Sequence, residues 1–236
     1  MVPIGTFPIL WHIIEIFRRQ GFCDQIIALG YKPEVIKRWL LDLVDLDGDM
    51  KFNFSTEGHT VSRNQNGNVL DLKIEAFNTG LNTQTGERLR KCIKKYPSET
   101  FIVTYGDGLA NLNLNELVSF HKNHGKHVTV TGVRPPARFG GLVLEGNLVS
   151  NFGEKTQSDS GWINGGFIVC DSQLLSYYSG DNESLEFDVL PRVVQSHNLM
   201  AFLHNGFWQP MDTLREKNLL AELASEPVPP WFSLQN

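Results

Sequence analysis

Apolar positions recur along this chain with two alternating periods. Ile9, Leu10, Ile13, Ile14 and Phe17 follow helical spacing behind Pro8 and stop at Gln20-Gly21. Gln25 to Leu29 reads as a buried strand ended by Gly30-Tyr31. Pro33 to Leu43 reads as a helix with Val35, Ile36, Trp39 and Leu40 on one side. Extended segments are predicted at Lys51 to Phe54 and Val69 to Ala76, a helix at Gly86 to Tyr96, and a strand at Thr100 to Thr104. Asn113 to Asn123 is predicted helical and His127 to Val133 extended. After Pro135-Pro136 the texture changes to short strands at Leu142 to Leu144, Leu148 to Phe152 and Phe167 to Cys170. Helices are predicted near Ser172 to Tyr178 and at Glu186 to Ser196, then a strand at Leu199 to His204 and a last helix from about Thr213 to Leu223.

Strand–helix alternation in the first half implies a doubly wound, mostly parallel α/β sheet, and the second half an added mixed β region. Ligands in such sheets sit beyond the carboxyl ends of the strands. The alternation opens with a helix, so the usually central first strand is expected to be missing. A single domain over 1–225 with a loose, proline-rich tail over 226–236 completes the expected organisation.

The 236 residues carry a formal net charge of −5, which speaks against a broad nucleic-acid surface. No run of about 18 apolar residues exists, so no membrane span is expected. The first residues lack a basic leader and a small-residue cleavage pattern, and the three cysteines, Cys23, Cys92 and Cys170, form neither a metal pattern nor a disulfide framework. Free thiols in a cytoplasmic protein are expected. The seven histidines show no ligand spacing and read as surface or core residues.

Five constellations could carry chemistry. Tyr105-Gly106-Asp107-Gly108 follows a strand and would project Asp107 at its carboxyl end, although a plain Asp-Gly turn accounts for the same residues. Gly206-Phe-Trp-Gln-Pro-Met-Asp212-Thr213 places Asp212 where a helix begins, as either an N-cap or half of a carboxylate pair for Mg²⁺. Glu154-Lys155 with Asn164-Gly165-Gly166 suits a phosphate and a sugar, or a surface pair and a turn. Thr85-Gly86-Glu87-Arg88 opens a helix whose N–H groups could meet an anion or a base edge, or is capped by Thr85. Arg138-Phe139-Gly140-Gly141 could equally be a hairpin turn.

The order of these motifs, from Gly30-Tyr31-Lys32 through YGDG, RFGG, EK and INGG to FWQPMDT, resembles the glucose-1-phosphate cytidylyltransferases over nearly the whole chain. The resemblance implies a Rossmann-like, GT-A-like nucleotidyltransferase sheet. The reaction implied joins CTP and glucose 1-phosphate into CDP-glucose and pyrophosphate, for deoxysugars of surface polysaccharides such as O-antigen. Asp107 and Asp212 would ligate Mg²⁺, and Lys155 would contact a phosphate. Thr85, Gly86 and Arg88 match the base side. Gly140, Glu154, Asn164, Gly165 and Glu186 match the hexose side, and Gly106, beside Asp107, is also expected to bind substrate. A homo-oligomer is implied, with no nucleic-acid or membrane partner.

The family pattern begins with a strand, a G-G-x-G-T-R-L loop and a K-P-K-P-M run, whereas this sequence starts at the Met of that run. The start is therefore expected to be internal to a longer reading frame, and the chain as written is expected to turn over little CTP. Phe7, Asn78 and Thr156 also depart from the pattern. Two alternatives stand beside this reading. One is a nucleotidyltransferase for another nucleotide and sugar phosphate. The other is a non-catalytic domain that binds a sugar nucleotide.

Overall fold

The computed structural model describes residues 1–43, 50–55, 58–63, 72–135, 140–145, 148–154 and 161–234, with backbone only for 50–55, 58–63, 140–145 and 148–154. These form two compact units, 1–22 with 84–236, and 23–83.

In the larger unit the sheet is built from β7 (Thr100–Thr104), β9 (Val128–Val133), β12 (Ile163–Asp171) and β13 (Leu199–His204), in the order β13-β9-β12-β7. β13 runs parallel to β9, while β12 is antiparallel to both β9 and β7. Period-two alternation along β12 builds two cores. Phe167 and Val169 face one cluster with Ile13, Ile16 and Phe17 of α1 (Ile9–Arg19), Leu117 of α4 (Leu114–His124) and Leu220 of α6 (Leu214–Leu223). Ile168 and Cys170 face the other, with Leu89 and Ile93 of α3 (Thr85–Lys95) and Val193 of α5 (Leu190–Gln195). Such a sheet, covered by helices on both faces, is the α/β layering that the hydrophobic pattern implies.

The smaller unit pairs β3 (Asp24–Leu29) in parallel with β6 (Lys73–Asn78), with α2 (Pro33–Asp42) between them in sequence. β4 (Met50–Ser55) and β5 (Gly58–Arg63) form an antiparallel ribbon. β3 is less buried than expected: Ile26 is 38% exposed, because among the described residues β3 has one strand neighbour.

Other expectations shift. Two two-residue strands, β1 (Pro3–Ile4) and β2 (Phe7–Pro8), precede α1, so a ribbon and not a helix comes first. Ser172–Tyr177 is a 3₁₀ turn, and the helix expected from Glu186 splits into a π turn, Leu185–Val189, and α5. The tail is not loose as far as Leu234: Trp231 is 1% exposed within the first core. A large aromatic surface outweighs the ordering cost of a proline-rich segment already poor in conformational freedom. The cysteines are unpaired, Cys170 buried and the others half-buried, as their spacing indicated. Among the described residues, no helix is long and apolar enough to cross a membrane.

Candidate active site

Two three-residue strands decide where the carboxylates meet. β8 (Gly108–Ala110) pairs antiparallel with β14 (Trp208–Pro210), with Gly108 opposite Pro210 and Ala110 opposite Trp208. Asp107 therefore enters the ribbon at the end where the chain leaves toward Asp212. The Met211 N–H donates to the Asp107 carbonyl at 2.8 Å and locks that end. Burial raises the pKa of the Asp107 carboxyl above its ordinary value, and the Asp212 charge adds to the rise. Two like charges in one field is the arrangement a cation relieves.

Asp212 is not the cap of α6. Thr213 takes that position, accepting from Glu216 N at 3.3 Å, while the Glu216 carboxylate accepts from the N–H groups of Thr213 and Asp212. This capping box gives the N-cap role, one of the two readings open for Asp212, to its neighbour. Two carboxylates offer hard oxygen donors and leave positions for water and phosphate, as Mg²⁺ requires. No group of three or more His, Cys, Asp or Glu that could hold a metal exists among the described residues.

Both loops are anchored on the same glycine pair. The Trp208 indole N–H donates to the Gly165 carbonyl at 2.8 Å. Gly166 has φ +81°, and a Cβ there would lie 2.7 Å from Cδ2 of the Tyr105 ring. A Cβ on Gly165 would lie 2.5 Å from Val133 Cγ1. Asn164 stays exposed and accepts from Gly166 N at 3.0 Å through its side-chain oxygen. Gly166 thus admits close packing of the segment that carries Asp107, and Gly165 close packing of β9.

The start of α3 is organised differently from the expectation. Gln84, not Thr85, is its N-cap, without a side-chain capping bond. The Thr85 hydroxyl donates to Glu186 at 2.6 Å and accepts from Leu185 N at 3.0 Å. A Cβ on Gly86 would lie 2.7 Å from the Glu183 carbonyl, which also accepts from Glu87 N at 3.0 Å. That N–H is therefore already engaged by protein. Arg88 is half-buried on the same helix. Glu186 also accepts from the hydroxyls of Tyr105 and Ser184. Burial pushes its carboxyl up, but the Thr85 and Tyr105 hydrogen bonds outweigh it and hold the pKa below the ordinary value. Burial, then hydrogen bonding to Glu186, raises the Tyr105 pKa.

Gly106 is exposed in the turn before β8. Gly140 opens β10 (Gly140–Glu145) directly opposite Glu154, the last residue of β11 (Leu148–Glu154). Lys155, Arg138 and Phe139 lie outside the described residues. Sequence reasoning missed the anchors Tyr105, Trp208 and Ser184. The first two lie inside the quoted motifs, and their large polar-tipped rings beside the carboxylates were the available signal.

A family model for nucleotidyl transferases matches residues 1–216. The chain is 38% identical over 233 residues to a glucose-1-phosphate cytidylyltransferase of Salmonella typhi, covering 98% of this chain and 89% of the relative. It is 39% identical over 222 residues to a probable glucose-1-phosphate cytidylyltransferase of Bacillus subtilis, covering 93% and 84%. Among solved structures, HddC from Yersinia pseudotuberculosis superposes with a TM-score of 0.66 at 20% identity, covering 94% of this chain and 88% of that one, a likeness of fold. Motif order, sheet layering and these matches agree, and the chain belongs to the nucleotidyl transferase family, among the glucose-1-phosphate cytidylyltransferases.

Proposed function

We propose that this chain joins CTP and glucose 1-phosphate to give CDP-glucose and pyrophosphate. The observation that carries the reading is the placement of Asp107 and Asp212 at one end of the β8–β14 ribbon, where the Asp212 charge adds to the rise in the Asp107 pKa. In this reading the two carboxylates hold Mg²⁺. When bound, the ion supplies electrostatic stabilisation of the phosphate charge. A phosphate oxygen of the sugar attacks the α-phosphorus of CTP, and the bond to the β-phosphate bridge breaks as pyrophosphate leaves. The protein's share is alignment of two polyanions, so no nucleophilic side chain is required.

The Met211–Asp107 backbone bond and the anchors on Gly165 and Gly166 set the positions of the carboxylates before ligand arrives. Lys155 neutralises phosphate charge in this assignment. Thr85, Gly86 and Arg88 border the base, and Gly140, Glu154 and Asn164 the hexose.

Against the low turnover expected from the motif departures, the purified chain with CTP, glucose 1-phosphate and Mg²⁺ should in this reading yield CDP-glucose and pyrophosphate in equal amounts. Asp107→Asn and Asp212→Asn should each lower kcat/KM by about 10²-fold or more. CDP-glucose binding by calorimetry without turnover of any nucleotide and sugar phosphate pair would overturn the proposal. Full activity in either Asn variant would do the same.

A further inference from the structure

Glu186 belongs to a π-helical turn, Leu185–Val189, a backbone irregularity common at functional sites. Its carboxylate receives three protein hydroxyls. Tyr105 donates to one oxygen, while Thr85 at 2.6 Å and Ser184 at 2.9 Å donate to the other. The Thr85 hydroxyl is itself aimed, because it accepts from Leu185 N at 3.0 Å. A carboxylate has about four acceptor positions, so three hydroxyls leave little for a sugar hydroxyl. The partner on its other oxygen, Tyr105, sits two residues before Asp107 with its ring against Gly166.

We infer that Glu186 is a positioning residue: it fixes the Tyr105 hydroxyl, and through that ring the placement of Asp107 opposite Asp212, instead of contacting the hexose. The hydrogen-bond chain links the first residue of α3, the π turn and the YGDG turn, three segments that share no strand pairing. Groups that orient a ligating carboxylate affect cation affinity strongly without touching the cation. The inference rests on the proposed role of Asp107 and Asp212 as cation ligands.

The test uses the full chain and Mn²⁺ alone, with binding read from the electron paramagnetic resonance of free Mn²⁺. Tyr105→Phe and Glu186→Gln are each expected to raise the Kd for Mn²⁺ about tenfold. The double variant should bind no more weakly than the poorer single, because both substitutions break one link. In turnover, the cation concentration for half-maximal rate should rise while the KM for glucose 1-phosphate holds. Tyr105→Phe removes one oxygen atom and keeps the ring on Gly166, so it decides the matter even where Glu186→Gln fails to fold. Wild-type Mn²⁺ affinity in Tyr105→Phe overturns the inference, as does a higher glucose 1-phosphate KM confined to Glu186→Gln. Failure of the unsubstituted chain to bind Mn²⁺ overturns the underlying carboxylate-pair reading as well, and is distinguished because it precedes any substitution.

Discussion

Trp231 offers the sharpest test of how this fold is held. It is 1% exposed and packs edge-on to His12 at 5.2 Å and against Phe207 at 6.0 Å between ring centroids. Phe207 belongs to the segment that carries Asp212, so the tail supports the candidate site as well as the core. Asn111 holds the tail further by donating to the Ser233 carbonyl at 3.0 Å. A buried tryptophan removes roughly 150–250 Å² from water. At about 25 cal/mol per Å² that is roughly 4–6 kcal/mol before the ordering cost of the tail. Trp231→Ala is therefore expected to cost about 3–5 kcal/mol, a large part of a typical domain's stability. For a chain of this size the corresponding fall in Tm is roughly 6–20 °C. The indole N–H of Trp231 has no hydrogen-bond partner among the described residues, so Trp231→Phe should lose less, under about 1.5 kcal/mol. Urea unfolding followed by circular dichroism measures both. A loss below about 1 kcal/mol for Trp231→Ala, the level of a surface substitution, would refute the packing argument and return the tail to a loose appendage.

Two further substitutions probe the supports of the site. Gly166→Ala places a side chain at φ +81° and 2.7 Å from the Tyr105 ring; strain alone should cost about 1–2 kcal/mol in urea unfolding, and Mn²⁺ binding should weaken. Glu183 accepts from Arg192 at 2.7 Å, which holds its pKa down to about 2, aided by Ser179. The folded pKa lies below the unfolded one, so this contribution is full above the ordinary glutamate range and fades as pH falls toward about 2. Glu183→Gln should therefore lower stability at pH 7 and match the unsubstituted chain near pH 2; a loss independent of pH would contradict the ion pair as its source.

Local pattern determined much of this molecule. Helical spacing of Ile9, Ile13 and Phe17 produced α1, and the apolar runs Thr100–Thr104 and Leu199–His204 became strands at those bounds, because period and turn chemistry are properties of adjacent residues. The motif order likewise exposed Asp107 and Asp212 as candidates without any coordinates. Tertiary structure decided what local pattern cannot encode. β8 and β14 have three residues each, too few for a readable period, yet their pairing across about a hundred positions brings Asp107 and Asp212 to one end of a ribbon. Thr85 and Glu186 meet 101 residues apart, and that contact takes the Thr85 hydroxyl away from capping α3. Trp231 lies in a segment whose prolines read as loose, but its ring has more apolar surface to bury than the tail has freedom to lose. Each of these outcomes depends on which distant group supplies the partner, and only the folded chain specifies that group.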